Sequence, residues 1–117
     1  MAWWDDYFRD VDSFNIDRLA PWFDDNVKLR FANWPEQQGK VEVLAAFTDF
    51  WTNLKGLSHR AYDVMAQEGR ACVEADVIFD RLDGRKVAAR AATVFERPGN
   101  KITAISVYID VAPVFAD

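Results

Sequence analysis

The most regular pattern of apolar and polar positions lies between residues 70 and 110, where the two types alternate in three successive stretches. A period of two residues is typical of a β-strand that is buried on one side. Asp83-Gly84 and Pro98-Gly99-Asn100 separate the stretches, and both are turn signals. The pattern therefore predicts three consecutive strands joined by tight turns, at residues 71–79, 86–95 and 102–110.

Upstream of these strands, apolar residues recur at intervals of three and four, which indicates amphipathic helices. One helix is predicted within residues 3–14. A second, short helix should start at Ile16 with Asn15 as its N-cap, and Pro21 should limit it. The longest helix is predicted over residues 40–54, with Gly56 at its C-terminal end.

Two further strands are predicted, at residues 27–31 after an Asp24-Asp25-Asn26 turn, and at residues 57–67. The order is helix, helix, strand, helix and then four strands, with no repeat or linker. At 117 residues the chain is expected to form a single domain over residues 1–117. This order predicts an α+β fold in which a curved, antiparallel or mixed sheet of about five strands packs against three helices.

Composition and charge argue against some classes of binding partner and favour others. Half of the residues are hydrophobic, with five Trp and nine Phe, which suits a core, a concave pocket or a subunit interface. A net charge of −5 with scattered Lys and Arg argues against a nucleic acid or an anionic membrane as partner. The single Cys72, the lack of a basic leader and the lack of a long apolar run favour a cytoplasmic protein.

Three segments resemble the SnoaL-like branch of the nuclear transport factor 2-like superfamily, which includes ketosteroid isomerases, polyketide cyclases and limonene epoxide hydrolases. These segments are residues 15–27, residues 31–35 with Gly39, and Val107-Tyr108-Ile109-Asp110. The resemblance covers nearly the whole chain. It implies a cone-shaped fold that holds a small apolar ligand between the helices and the concave face of the sheet.

Compared with ketosteroid isomerases, the resemblance places Tyr7 where the first helix supplies the tyrosine of the oxyanion hole. Phe31 occupies the position of the general-base aspartate, and Ala92 that of the protonated aspartic acid. The resemblance therefore argues against steroid isomerisation by that mechanism.

Compared with limonene epoxide hydrolases, Asn33 matches a water-positioning asparagine and Phe31 replaces the accompanying tyrosine. Asp76 falls at the position of the acid aspartate. Glu74 replaces its arginine partner, and Val107 replaces the second aspartate. Because this set of catalytic residues is incomplete, the resemblance implies a related site but not the activity of a limonene epoxide hydrolase.

Asp76 is the residue expected to act as acid or base. If Asp76 and Glu74 face an aromatic cavity, desolvation and mutual repulsion should raise the pKa of the Asp76 carboxyl group. The alternation alone is more typical of a solvated sheet face. Arg90 on the next strand is the main alternative partner, since an ion pair with it would lower that pKa instead.

A set of residues, most of them aromatic, is expected to line the ligand cavity, although aromatic residues at helical spacing are more often core. The candidates are Trp4, Phe31, Trp34, Phe47, Phe50, His59, Glu74, Arg90 and Val107. Too few His and Cys are present to indicate a metal site, and no cofactor motif is found. The cavity is therefore expected to work without metal or cofactor.

If Asp76 and Glu74 face inward, the opposite sides of these strands form a broad apolar surface. Its members would be Val73, Ala75, Val77, Phe79, Val87, Ala89, Ala91 and Phe95. Such a surface predicts a homodimer through the convex side of the sheet. If this surface is instead the core beneath the helices, both carboxylates turn outward.

The leading hypothesis is an acid–base enzyme acting on a small apolar or polyketide-like molecule by isomerisation, cyclisation, dehydration or hydrolysis. Asp76 would be the acid or base, Asn33 the positioning residue and Tyr7 the hydrogen-bond donor. The alternative is a ligand-binding or dimerisation module without catalysis.

Overall fold

The structure is a computed structural model that describes residues 2–117. The helices are α1 (Trp3–Asp12), α2 (Ile16–Leu19), a 3-10 helix (Ala20–Trp22), α3 (Lys40–Trp51) and α4 (Ala112–Phe115). The strands are β1 (Phe23–Phe31), β2 (Gln37–Gln38), β3 (Leu54–Gln67), β4 (Arg70–Arg81), β5 (Lys86–Glu96) and β6 (Ile102–Tyr108). Among these described residues, no helix is both long enough and apolar enough to cross a lipid bilayer.

The strands form one mixed sheet of six strands, in the order β2-β1-β6-β5-β4-β3. The expected number was about five, and the extra strand is the short β2, which pairs with Lys28 and Leu29 of β1. β1 and β6 are parallel, and the other neighbours are antiparallel. In β3 the register shifts between Arg60 and Asp63, and Ala61 has a φ of 58°. A bulge of this kind bends a strand and increases its twist.

Helix α1 packs on the concave side of the sheet because its apolar residues share one stripe. Tyr7, Phe8 and Val11 are buried, and the rings of Tyr7 and Phe8 contact Phe95 of β5. The helix ends where the Ser13 hydroxyl donates to the Asp10 carbonyl oxygen at 2.6 Å. Helix α3 covers the same side, with Val43 and Trp51 buried.

The helices therefore define an inner face of the sheet, which they cover, and an outer face, which they leave uncovered. On β4 the inner residues are Ala71, Val73, Ala75, Val77 and Phe79, and all five are buried. The expectation of a convex apolar surface was wrong for all of its members, namely Val73, Ala75, Val77, Phe79, Val87, Ala89, Ala91 and Phe95. The reason is that burying the apolar set beneath α1 and α3 removes far more apolar area from water than burying carboxylates would.

Two predicted element boundaries also differ from the structure. Helix α3 ends at Trp51 with Thr52 as its C-cap, so Gly56 does not end a helix but lies in β3 opposite Asp80. Strand β1 starts at Phe23, so residues 24–26 belong to a strand with irregular pairing and do not form a separate turn. Asn15 is the N-cap of α2 as predicted, since its side chain accepts from the backbone N–H of Asp17 at 3.0 Å.

Candidate functional site

A cavity of about 110 Å³ lies between the helices and the inner face of the sheet. The sheet contributes residues such as Val77, Phe79 and Ala91 to its wall, and α1 and α3 contribute aromatic rings. Its wall residues include no Lys, Arg, Asp or Glu. The cavity is therefore a predominantly apolar space with a few polar groups, as small-molecule sites commonly are.

Seven of the residues proposed from the sequence lie on this wall, namely Tyr7, Phe31, Trp34, Phe47, Phe50, His59 and Val107. Trp4 does not: it packs against Trp3, with ring centroids 5.5 Å apart. Asn33 is exposed in the turn after β1 and is also not part of the wall. The structure thus offers no contact through which Asn33 would position a ligand in the cavity.

Asp76, Glu74 and Arg90 lie on the outer face, which corrects the central expectation from the sequence. Asp76 Oδ1 is 3.1 Å from Arg90 Nη1, and Glu74 Oε1 is 4.0 Å from Arg90 Nε. The side chains of Asp76 and Glu74 are 45% and 50% exposed, so neither carboxylate is desolvated as the acid–base hypothesis required. Arg90 also donates to Asp63 and to the carbonyl oxygen of Ala61. This cluster is an exposed ion-pair network, as the alternative interpretation predicted.

His59 is the histidine on the cavity wall, and α1 holds it through Asp12. Val77, which faces the cavity, lies directly opposite His59, and directly paired residues share a sheet face. The backbone N–H of His59 donates to Asp12 Oδ2 at 3.1 Å, and His59 Nδ1 lies 2.7 Å from Asp12 Oδ1. The ring also stacks on Phe8 at a centroid distance of 4.4 Å. Three contacts therefore fix the position and orientation of the imidazole.

The Asp12 contact also determines the tautomer of neutral His59. A carboxylate can only accept, so the proton of the neutral imidazole lies on Nδ1. Nε2 then carries the free lone pair and is available as a proton acceptor. This is the arrangement that orients a histidine general base.

Tyr7 supplies a second polar group from the α1 side. The residue is 2% exposed and lies on the cavity wall. Burial raises the pKa of the Tyr7 hydroxyl far above its ordinary value, and the nearby charge of Asp12 raises this pKa further. Tyr7 therefore remains protonated and can only serve as a hydrogen-bond donor or acceptor.

Asp12 was not singled out from the sequence, although one signal was present. It is the last residue of α1, where the helix dipole disfavours a negative charge. A carboxylate at such a position indicates a compensating partner elsewhere in the fold. Within residues 2–117, no group of three or more His, Cys, Asp or Glu side chains converges in a way that would hold a metal ion.

Helix α4 lies beside the part of the cavity wall that Trp34 forms. The ring of Phe115 is 6.0 Å from the ring of Trp34, which is part of the cavity wall. Arg81 holds the segment, since its guanidinium donates to the carbonyl oxygens of Val114, at 3.0 Å, and of Ala116. The partly exposed rings of Trp34 and Phe115 therefore lie together on this side of the cavity, and Arg81 ties the segment that carries Phe115 to the end of β4.

Solved structures with the nuclear transport factor 2-like fold superpose on this chain. A protein of this fold from Anabaena variabilis has a TM-score of 0.81 and 17% identity, covering 92% of this chain and 83% of that one. A candidate polyketide cyclase from Xanthomonas campestris has a TM-score of 0.81 and 15% identity, covering 94% and 89%. TerC crystallised with polyporic acid has a TM-score of 0.81 and 12% identity, covering 92% and 88%.

These similarities establish the class of the fold, α+β and nuclear transport factor 2-like, which confirms the fold class inferred from the sequence. Residues 4–105 match the SnoaL-like domain, and the chain therefore belongs to the SnoaL-like family. A search of curated protein sequences gives no match.

Proposed function

We propose that this protein binds a small apolar molecule in the cavity between the helices and the sheet, and moves a proton from one atom of that molecule to another. His59 is the general base that takes up the proton. The observation that carries this proposal is the His59–Asp12 contact of 2.7 Å on the wall of an otherwise apolar cavity. The similarity to a candidate polyketide cyclase and to TerC with polyporic acid is consistent with a small organic ligand. Asp76 has no role in this proposal, because it lies on the outer face.

The proposed step is abstraction of a proton from a carbon next to a carbonyl group. His59 Nε2 takes the proton, and the electron pair of the broken C–H bond moves onto the carbonyl oxygen to form an enolate. Tyr7 donates a hydrogen bond to that oxygen, and Asp12 stabilises the imidazolium. In a β,γ-unsaturated ketone, return of the proton from His59 to the γ-carbon gives isomerisation. Attack of the enolate on a second carbonyl carbon of the same molecule gives cyclisation, and the resulting alkoxide takes the proton from His59.

The test uses a simple carbon acid. Cyclohexanone exchanges the hydrogens next to its carbonyl for deuterium in D₂O, and NMR measures the rate with and without protein. We expect the protein to accelerate this exchange, and we expect His59→Gln to lower the protein-dependent rate by about 10²- to 10⁴-fold. Asp12→Asn should lower it less, because the imidazole keeps its place on Phe8.

Asp76→Asn is the matched control, because it removes a carboxylate from the same sheet on the opposite face. Its exchange rate should equal that of the unaltered protein. An undiminished rate in His59→Gln, in a variant that unfolds at the same temperature, would contradict the assignment of the base.

A second function, ligand binding without catalysis, is favoured by the positions of two of the residues expected to catalyse. Asp76 lies on the outer face of the sheet, and Asn33 is not among the residues of the cavity wall. Ligand binding without any acceleration of exchange would favour this second function.

We also propose that two copies associate through the outer face of the sheet, although not through the residues first expected. The support is a set of apolar and aromatic side chains on that face, namely Met65, Cys72, Ile78, Val94 and Tyr108. Analytical ultracentrifugation should give the mass of a dimer, and Tyr108→Lys should shift it towards the monomer. A monomer at all concentrations up to about 100 µM would contradict this proposal, since a stable interface of about 1,600 Å² usually binds more tightly than that.

A further inference from the structure

Thr93 differs from the other threonines of the chain in having no partner for its hydroxyl group. Thr48, Thr52 and Thr103 each donate to a backbone carbonyl oxygen, at 3.0, 2.6 and 3.2 Å. Within residues 2–117, no such bond is formed by Thr93, which is 5% exposed and lies on the cavity wall. The Thr93 hydroxyl is therefore free to form a hydrogen bond with a polar group that enters the cavity.

The position of Thr93 on β5 places the hydroxyl on the inner face of the sheet. Its directly paired neighbours are Val73 and Val107, and Phe95 follows on the same face of the strand. Phe95 contacts the ring of Tyr7 at 5.2 Å. Thr93 therefore lies on the same wall as Tyr7 and His59, and its hydroxyl is one of the few polar groups of a largely apolar cavity.

The charges around the cavity limit what can bind there. No Lys or Arg lies on the wall, and Asp12 is a carboxylate in contact with a wall residue, His59. An anionic ligand would lose its hydration without gaining a cationic partner, and it would be repelled by Asp12. The volume of about 110 Å³ is of the same order as that of an apolar cavity of about 150 Å³ that accepts benzene, which favours a ligand with a single small ring.

We propose that Thr93 is a specificity-determining residue, whose hydroxyl selects small uncharged ring compounds that carry an oxygen substituent. This inference rests on the proposed ligand-binding function and adds the class of ligand. It does not depend on whether His59 transfers a proton.

The test compares phenol and toluene, which have similar shapes and differ in one hydroxyl group. Two-dimensional NMR gives the dissociation constant of each probe for the unaltered protein and for Thr93→Val, which keeps the side-chain shape. We expect Thr93→Val to shift the ratio of the two constants by about 3- to 10-fold in favour of toluene, the value of one neutral hydrogen bond. Thr93→Ser keeps the hydroxyl and should leave the ratio within about twofold.

Several results would overturn the inference. They are an unchanged ratio in Thr93→Val, benzoate binding at least as tightly as phenol, or no binding of either neutral ring at millimolar concentration. If Thr93→Val does not fold, Thr93→Ala provides the same comparison with a smaller side chain. A shifted ratio in a protein that does not accelerate exchange would support this inference and contradict catalysis. An unchanged ratio in a protein that does accelerate exchange would contradict this inference and leave the proposal of catalysis standing.

Discussion

The inner and outer faces of β4 and β5 have the same alternating sequence pattern but opposite chemistry. On the inner face, Val77 and Ala91 border a cavity whose wall carries no Lys, Arg, Asp or Glu. On the outer face, Asp76 and Arg90 form part of an exposed ion-pair network. The comparison shows that alternation assigns residues to two sides, whereas the helices decide which side becomes the site.

The largest expected loss of stability comes from truncating a large side chain on the inner face. Phe95 is 0% exposed and contacts the rings of Trp3, Tyr7 and Phe8. Phe95→Ala should lower the free energy of unfolding by about 3–5 kcal/mol, because it leaves a cavity beneath α1. Urea denaturation measures this change.

The matched control is the next residue, Val94, whose side chain lies on the outer face. At a protein concentration at which the chain is monomeric, Val94→Ala should cost about 1 kcal/mol or less. Equal losses in the two variants would show that the outer face is buried as completely as the inner one.

A loss of stability of intermediate size is expected in alkaline solution, where the tyrosines on the inner side ionise. Burial raises the pKa of Tyr62 from 10.0 to about 12, with smaller contributions from Asp12 and Asp5, and the pKa of Tyr7 is raised in the same direction. The folded protein thus holds these protons more tightly than the unfolded chain. Its stability should be complete below about pH 10 and should fall as the pH rises from about 10 to about 12.

Urea midpoints at pH 8 and at about pH 11 measure this fall. Tyr62→Phe and Tyr7→Phe each remove a phenol group that ionises. Between pH 8 and about pH 11, the urea midpoint of each variant should therefore fall by less than that of the unaltered protein. A midpoint of the unaltered protein that stays constant over this range would contradict the prediction.

The smallest effect is expected on the outer face. Arg90→Met removes the cation that Asp63, Glu74 and Asp76 share. All four side chains are substantially exposed in the single chain. At a protein concentration at which the chain is monomeric, the loss in unfolding free energy should therefore be about 1 kcal/mol or less. The loss should shrink further at about 1 M salt, which screens exposed charges.

Arg60→Met is the control for this variant. Arg60 lies opposite Asp76 on the same face, but it forms none of the ion pairs found within residues 2–117. Its substitution should change stability less than that of Arg90. A loss of several kcal/mol in Arg90→Met would mean that the network is buried in an assembly.

Much of the fold could be predicted because it depends on local spacing. The intervals between Tyr7, Phe8 and Val11 define the stripe of α1, and Asp83-Gly84 marks the turn between β4 and β5. The end of α3 was less predictable, because Leu54 continues the apolar spacing of the helix and equally suits the start of a strand. Local spacing does not distinguish these two roles.

The site was less predictable because it depends on contacts between distant segments. His59 and Asp12 meet only when α1 crosses β3 on the inner face. The inward direction of Thr93 follows from its alternation with Ala91 and Phe95, but only after that face is known to be the inner one. The prediction from the sequence exchanged the inner and outer faces of the sheet. It therefore placed Asp76 in the site and left Thr93 out of it.

The parallel pairing of β1 with β6 has a consequence for the order of folding. Leu29 pairs with Ile105 and Phe31 with Val107, so an early segment of the chain completes its hydrogen bonds only with a late one. The antiparallel hairpins of β3, β4 and β5 involve neighbouring segments and can form first. During synthesis on the ribosome, β1 therefore cannot complete its pairing until β6 has emerged.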